Sequence, residues 1–151
     1  MYSMWLSAEE QGVWRGYLAM VAELQAAMNR QLQRDCGLSL ADYEVLVALS
    51  ERGEQRMFEL GEALSWEQSR CSHQLRRMRE RGLVSRQGAA DDRRGATVAL
   101  TDAGRAALRT AAPGHAALVR AVLFDGMSAA QRKAFGDVID RVRGRLRESP
   151  V

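Results

Sequence analysis

The sequence predicts a mainly α-helical chain with one small β-hairpin, on three observations. Apolar residues recur at three- and four-residue intervals over most of the 151 residues. Between Gly82 and Thr101 that period gives way to two short strand-like runs around a turn rich in glycine and charge. Directly before this hairpin, two helical segments are joined by a tight turn. Two helices, a turn and a hairpin, in that order, are the parts of a winged helix-turn-helix. The expected fold class is therefore mainly α with a small β-hairpin wing: a winged helix-turn-helix with an N- and C-terminal helical dimerisation lobe.

Each element has its own signal. Ser7 and Glu10 form an S-x-x-E capping box, and Trp14, Tyr17, Leu18, Val21, Leu24, Met28 and Leu32 follow at helical spacing. Gly37 suits the left-handed position that closes such a helix. Ser39 caps a short second helix carrying Tyr43, Leu46, Val47 and Leu49, which Gly53 ends. Met57 to Leu64 makes a third, and Ser65 with Gln68 offers a capping box for a fourth. Leu83 to Gln87 and Ala96 to Leu100 are the strands, and Gly88 to Gly95 is the wing between them. Thr101 caps a long fifth helix to about Phe124, which Pro113-Gly114 is expected to kink or break. Ser128 and Gln131 open the sixth, with a stripe of Phe135, Val138, Ile139, Val142 and Leu146.

The length suits a single domain, residues 1–151. Within it, 39–101 would be the winged helix-turn-helix, and 1–38 with 102–151 a helical lobe. The winged part can bury its own core, but the first, fifth and sixth helices are amphipathic and must each cover an apolar face. They could pack together within one subunit. A second copy is the better-motivated cover, because a two-fold dimer sets two reading helices on a palindrome one turn apart. No apolar run is long enough to span a membrane. MYSMWLSAEE has no basic segment leading into an apolar one, so no secretory signal is expected. Cys36 and Cys71 are two isolated cysteines, which suits a reducing cytoplasm.

Charge points to the partner. From Arg70 to Arg94 eight arginines face three acidic residues, a net +5, while the whole chain is only +3. Positive charge is thus concentrated where a phosphate backbone would lie against a helix and a wing. On a helical wheel Cys71, Leu75 and Met78 share the core side of the fourth helix. Ser69, His73, Arg76 and Arg77 fall opposite, with Arg70 at their edge; Ser72 sits nearer the flank. Arginine can pair bidentately with guanine, and serine or histidine can bond bases or phosphates. In the wing, Arg93 and Arg94 can enter a minor groove, and Asp92 is placed to hold Arg94. A solvated charged face and a plain acidic-basic loop are the alternatives for these two features. The position between a helix-turn and a wing favours double-stranded DNA.

The segment from Ser65 to Gly104 resembles the MarR family of bacterial transcription regulators. The resemblance rests on R-G-L-V-S-R (Arg81 to Arg86), D-x-R (Asp92, Arg94) and V-A-L-T-D-A-G (Val98 to Gly104), in this order and spacing. It extends over nearly the whole chain and implies a triangular homodimer whose lobe is helices one, five and six. It implies that Arg94 is a minor-groove arginine positioned by Asp92, and that Ser69, Arg70, Ser72, His73 and Arg77 read DNA. It also implies a repressor that leaves a pseudo-palindromic operator when a small molecule, often aromatic, lodges between the lobes. Trp14, Tyr17, Leu18, Tyr43, Leu46 and His115 would line that junction, although for each taken alone a core role is the favoured reading.

Other function classes find less support. Family members that sense oxidants use a cysteine near the start of the first helix, where this chain has none. Cys36 leaves an oxidant-responsive regulator as one alternative, and a dimeric interaction protein without DNA binding is another. His73, His115, Cys36 and Cys71 show no metal-ligand spacing, and no cofactor is expected. Neither a phosphate-binding glycine loop nor a nucleophile elbow is present, so the chain is not expected to be an enzyme.

Overall fold

The computed structural model describes residues 4–88 and 96–149. Its elements are α1 (Ala8–Cys36), α2 (Leu40–Arg52), β1 (Gln55–Arg56), α3 (Met57–Leu64), α4 (Gln68–Glu80), β2 (Val84–Gln87), β3 (Thr97–Leu100), α5 (Asp102–Val119), a π-helical segment (Arg120–Phe124) and α6 (Ala129–Glu148). They form two compact units, Met1–His115 and Ala116–Val151. No helix among the described residues is long and apolar enough to cross a membrane.

Helix ends follow local chemistry. Ser7, Ser39 and Ser128 each make a complete capping box, with Glu10, Asp42 and Gln131 as the reciprocating side chains. Gly37 closes α1 at φ 67°, a conformation that costs a Cβ-bearing residue more.

The capping box expected at Ser65 and Gln68 does not form. Ser65 is left-handed, φ 56°, and terminates α3, with its N–H on the Glu62 carbonyl at 3.1 Å. A residue spent on closing one helix in that conformation cannot also be the extended cap of the next. Consequently α4 starts at Gln68 after Glu67, which gives no side-chain cap.

The sheet has three antiparallel strands in the order β1-β3-β2, not the two expected. In β1, Gln55 lies opposite Val98 and Arg56 opposite Thr97. Two polar residues carry no period, so only the tertiary pairing reveals this strand. On the other side Val84 faces Leu100 and Arg86 faces Val98. Pro113 lies inside α5 without breaking it, and the helix runs on into the π-helical segment.

Leu32, Val45, Leu46, Leu60, Cys71 and Met78 are wholly buried in one cluster that joins α1, α2, α3 and α4. The start of α5 is locked to this unit by three bonds. Thr101 donates its hydroxyl to the Gly82 carbonyl at 2.6 Å and its N–H to Leu83, while its Oγ1 accepts from Gly104 N–H at 3.0 Å. Gly104 passes so close that a Cβ would fall on the Leu83 carbonyl oxygen. That contact explains the glycine ending V-A-L-T-D-A-G in physical terms.

Candidate nucleic-acid interface

The reading helix is fixed from below. Cys71, Leu75 and Met78 are 0%, 4% and 0% exposed, so the predicted core side is the observed one. Burial pushes the Cys71 thiol up, which keeps it protonated as a packing group. Gly61 in α3 leaves room for the Gln68 amide, which a Cβ there would strike. All six residues assigned from the sequence, Ser69, Arg70, Ser72, His73, Arg76 and Arg77, are exposed on the other side. Ser72, expected on the flank, is exposed with the rest.

Between α4 and the sheet lies an open cleft of about 420 Å³. Ser69, Ser72, His73, Arg76 and Arg79 line it from α4, and Ser85 and Arg86 from β2, over a floor of Met57, Leu75, Val84 and Val98. Neither Arg79 nor Arg86 is among the site residues expected from the sequence. Both belonged to the charge cluster, but only the β2–β3 register shows Arg86 sharing a cleft with the helix. Cationic and hydroxyl groups around an apolar floor suit an anion bound alongside a helix.

Two contacts order the arginines. Arg76 Nη2 donates to His73 Nδ1 at 3.2 Å. Guanidinium has only donors, so His73 Nδ1 is the acceptor in this contact. Arg70 sits over the Trp66 ring, 4.3 Å from its centroid. Nearby on α2, burial pushes the Glu44 carboxyl up, and the Arg70 charge opposes that rise.

Arg81 behaves differently from its neighbours in the charge cluster. Its Nη1 reaches Asp42 Oδ2 at 2.7 Å and its Nη2 reaches the Gly37 carbonyl at 3.0 Å. Gln74 donates to the other Asp42 oxygen at 2.6 Å. The first residue of R-G-L-V-S-R thus ties the end of α4 to the α1–α2 junction. Of the eight arginines counted, Arg81 is tied up in this ion pair, and Arg70, Arg76, Arg77, Arg79 and Arg86 are the other exposed ones among the described residues. Asp92, Arg93 and Arg94 lie outside the described residues.

The residues expected to line a ligand junction fall into two groups. Trp14 and Tyr17 stack on each other at 5.6 Å and are half exposed, as is Leu18. Tyr43 instead meets His115 at 4.4 Å between centroids, and has Cys36 as an electrostatic neighbour. Cys36 lies about 28 Å beyond Tyr17 along α1, at 1.5 Å per residue. One small molecule in one chain cannot span both groups. Leu46 is 0% exposed and serves the core. Burial pushes the His115 imidazole down and the Tyr43 phenol up, the latter with help from Cys36. Among the described residues, His115 Nδ1 and Gln31 Oε1 are buried without a hydrogen-bond partner. Cys36 donates its thiol to the Leu32 carbonyl at 3.1 Å. Among the described residues no group of three or more His, Cys, Asp and Glu could hold a metal ion.

A helix-turn-helix whose second helix exposes arginine beside a β-sheet defines a winged-helix protein. The MarR family model matches residues 37–95. Sco3205, a MarR family transcriptional regulator from Streptomyces coelicolor solved in complex with DNA, is 40% identical over 94% of this chain and 90% of that one, with a TM-score of 0.86. AbsC, another from the same organism, is 34% identical over 97% and 100%, with a TM-score of 0.87. BpsR of Bordetella bronchiseptica, whose DNA binding is regulated by 6-hydroxynicotinic acid, shares the fold at 22% identity, covering 85% and 98%, with a TM-score of 0.70. Among curated proteins none matches the sequence. This chain belongs to the MarR family of transcriptional regulators.

Proposed function

We propose that the protein is a cytoplasmic, DNA-binding repressor, without catalytic activity, that acts as a homodimer on a pseudo-palindromic operator. The carrying observation is the exposed face of α4, where Ser69, Arg70, Ser72, His73, Arg76 and Arg77 stand above a buried seam and beside the strand bearing Arg86. In this reading α4 enters the major groove and its serines, histidine and arginines meet base edges and phosphates. The sequence adds Arg93, Arg94 and Asp92, which lie outside the described residues, to the proposed DNA-binding set. That Sco3205 was solved in complex with DNA supports the DNA-binding role.

The effector is proposed to be a small aromatic molecule bound beside Tyr43 and His115. Support comes from the two buried polar atoms there, His115 Nδ1 and Gln31 Oε1, to which a phenol hydroxyl could bond. Trp14, Tyr17 and Leu18 are assigned to the dimer surface instead, because they are half exposed and distant along α1.

Selection of genomic DNA fragments by the purified protein tests the reading. A pseudo-palindromic site with half-sites about one helical turn apart is expected. Recovery of random fragments overturns it.

A further inference from the structure

We propose that Trp66 is a positioning residue for DNA recognition, holding the Arg70 guanidinium in a reading geometry before DNA arrives. The inference rests on the DNA-binding reading above and deepens it. Trp66 lies in the turn between α3 and α4, and its backbone N–H is bonded to the Gly61 carbonyl at 2.9 Å. Left-handed Ser65 directs the chain into this turn, and the half-buried indole packs against the core cluster. The position of the ring is therefore set by the fold and needs no ligand.

Arg70 follows four residues later, on the adjacent turn of α4, with its Cζ 4.3 Å from the ring centroid. A guanidinium held over a ring still has its five N–H donors, which lie in its own plane. The Arg70 charge also acts on the half-buried Glu44 carboxyl of α2, opposing the rise that burial causes there. A long arginine side chain free in solvent loses rotamer freedom when it docks, and a ring that already restrains it removes part of that loss. Trp66 thus acts through Arg70 and itself needs no contact with DNA.

The test is a double-mutant cycle on a duplex bearing the recovered operator, with a random duplex of equal length beside it. Trp66→Leu keeps apolar volume but removes the ring, and Trp66→Phe keeps a weaker ring. Trp66→Leu should weaken operator binding about two- to fivefold, the scale of an exposed cation–π contact, and Trp66→Phe should weaken it less. In an Arg70→Ala background neither change should have further effect. A Trp66→Leu loss that persists in that background, or a Phe variant as weak as Leu, overturns the positioning role and leaves DNA binding intact. If Arg70→Ala binds as the parent does, the role falls together with the placement of Arg70 on DNA. Should Trp66→Leu fail to fold, Trp66→Phe with Arg70→Ala decides the matter: its smaller loss must vanish when Arg70 is absent.

Discussion

Aspartate at both Ile139 and Val142 should convert the protein to a monomer and weaken operator binding by a factor on the order of 10² or more, because two linked reading helices gain that much in avidity. The reasoning starts from α6, a 20-residue helix in which no residue is buried within the single chain. Val138, Ile139, Val142 and Leu146 are 51%, 39%, 47% and 68% exposed and fall on one helical stripe. A helix of this kind is held chiefly by tertiary packing, so its apolar stripe calls for a cover. A second copy supplies one and also sets two α4 helices on one duplex. Light scattering and an operator titration check both consequences. A double variant that stays dimeric with unchanged affinity places the seam elsewhere.

Asp42→Ala should lower the melting temperature by about 5–10 °C, corresponding to roughly 2–3 kcal/mol in a chain of this size. Asp42 is 4% exposed and accepts from Ser39 N–H at 2.9 Å, Gln74 at 2.6 Å and Arg81 at 2.7 Å. Removing it leaves these donors facing an apolar methyl group. Arg81 is half exposed and can turn to water, which keeps the loss below that of a fully buried pair. Acid should reveal the same group. Burial pushes the Asp42 carboxyl up, but the Ser39 N–H and the Arg81 charge outweigh it, and the net position is below the ordinary value. A depressed carboxylate contributes stability above its unfolded value of about 3.9, and that contribution is lost as pH falls through the lower folded value. Thermal melts across this window should show a smaller acid loss for Asp42→Ala than for the parent. Parallel curves would remove Asp42 from the acid response.

Most of the frame was legible because it is written in local chemistry. The helix starts at Ser7, Ser39 and Ser128 and the stop at Gly37 depend on residues within a few positions of each other. The seam of Cys71, Leu75 and Met78 follows from helical period alone. What stayed hidden is tertiary. The capping motif at Ser65 was overridden because the preceding helix needed a left-handed terminus there. Arg81 looked like one more cation in a basic stretch, and only folding brings it to Asp42, 39 positions earlier. Likewise β1 exists through its pairing with β3, and Arg86 joins α4 at one cleft through the sheet register. For the same reason Trp14 and Tyr43 read as one pocket on a linear chain, although the length of α1 parts them.

The central claim is that an arginine face on α4 and the adjoining sheet binds DNA, and operator affinity measured against salt concentration tests it most directly. Arg70, Arg76, Arg77, Arg79 and Arg86 are exposed in each subunit. If about half of them neutralise phosphates in a dimer, log affinity should fall against log salt with a slope of about −4 or steeper. An affinity that barely changes between low and moderate salt contradicts the claim.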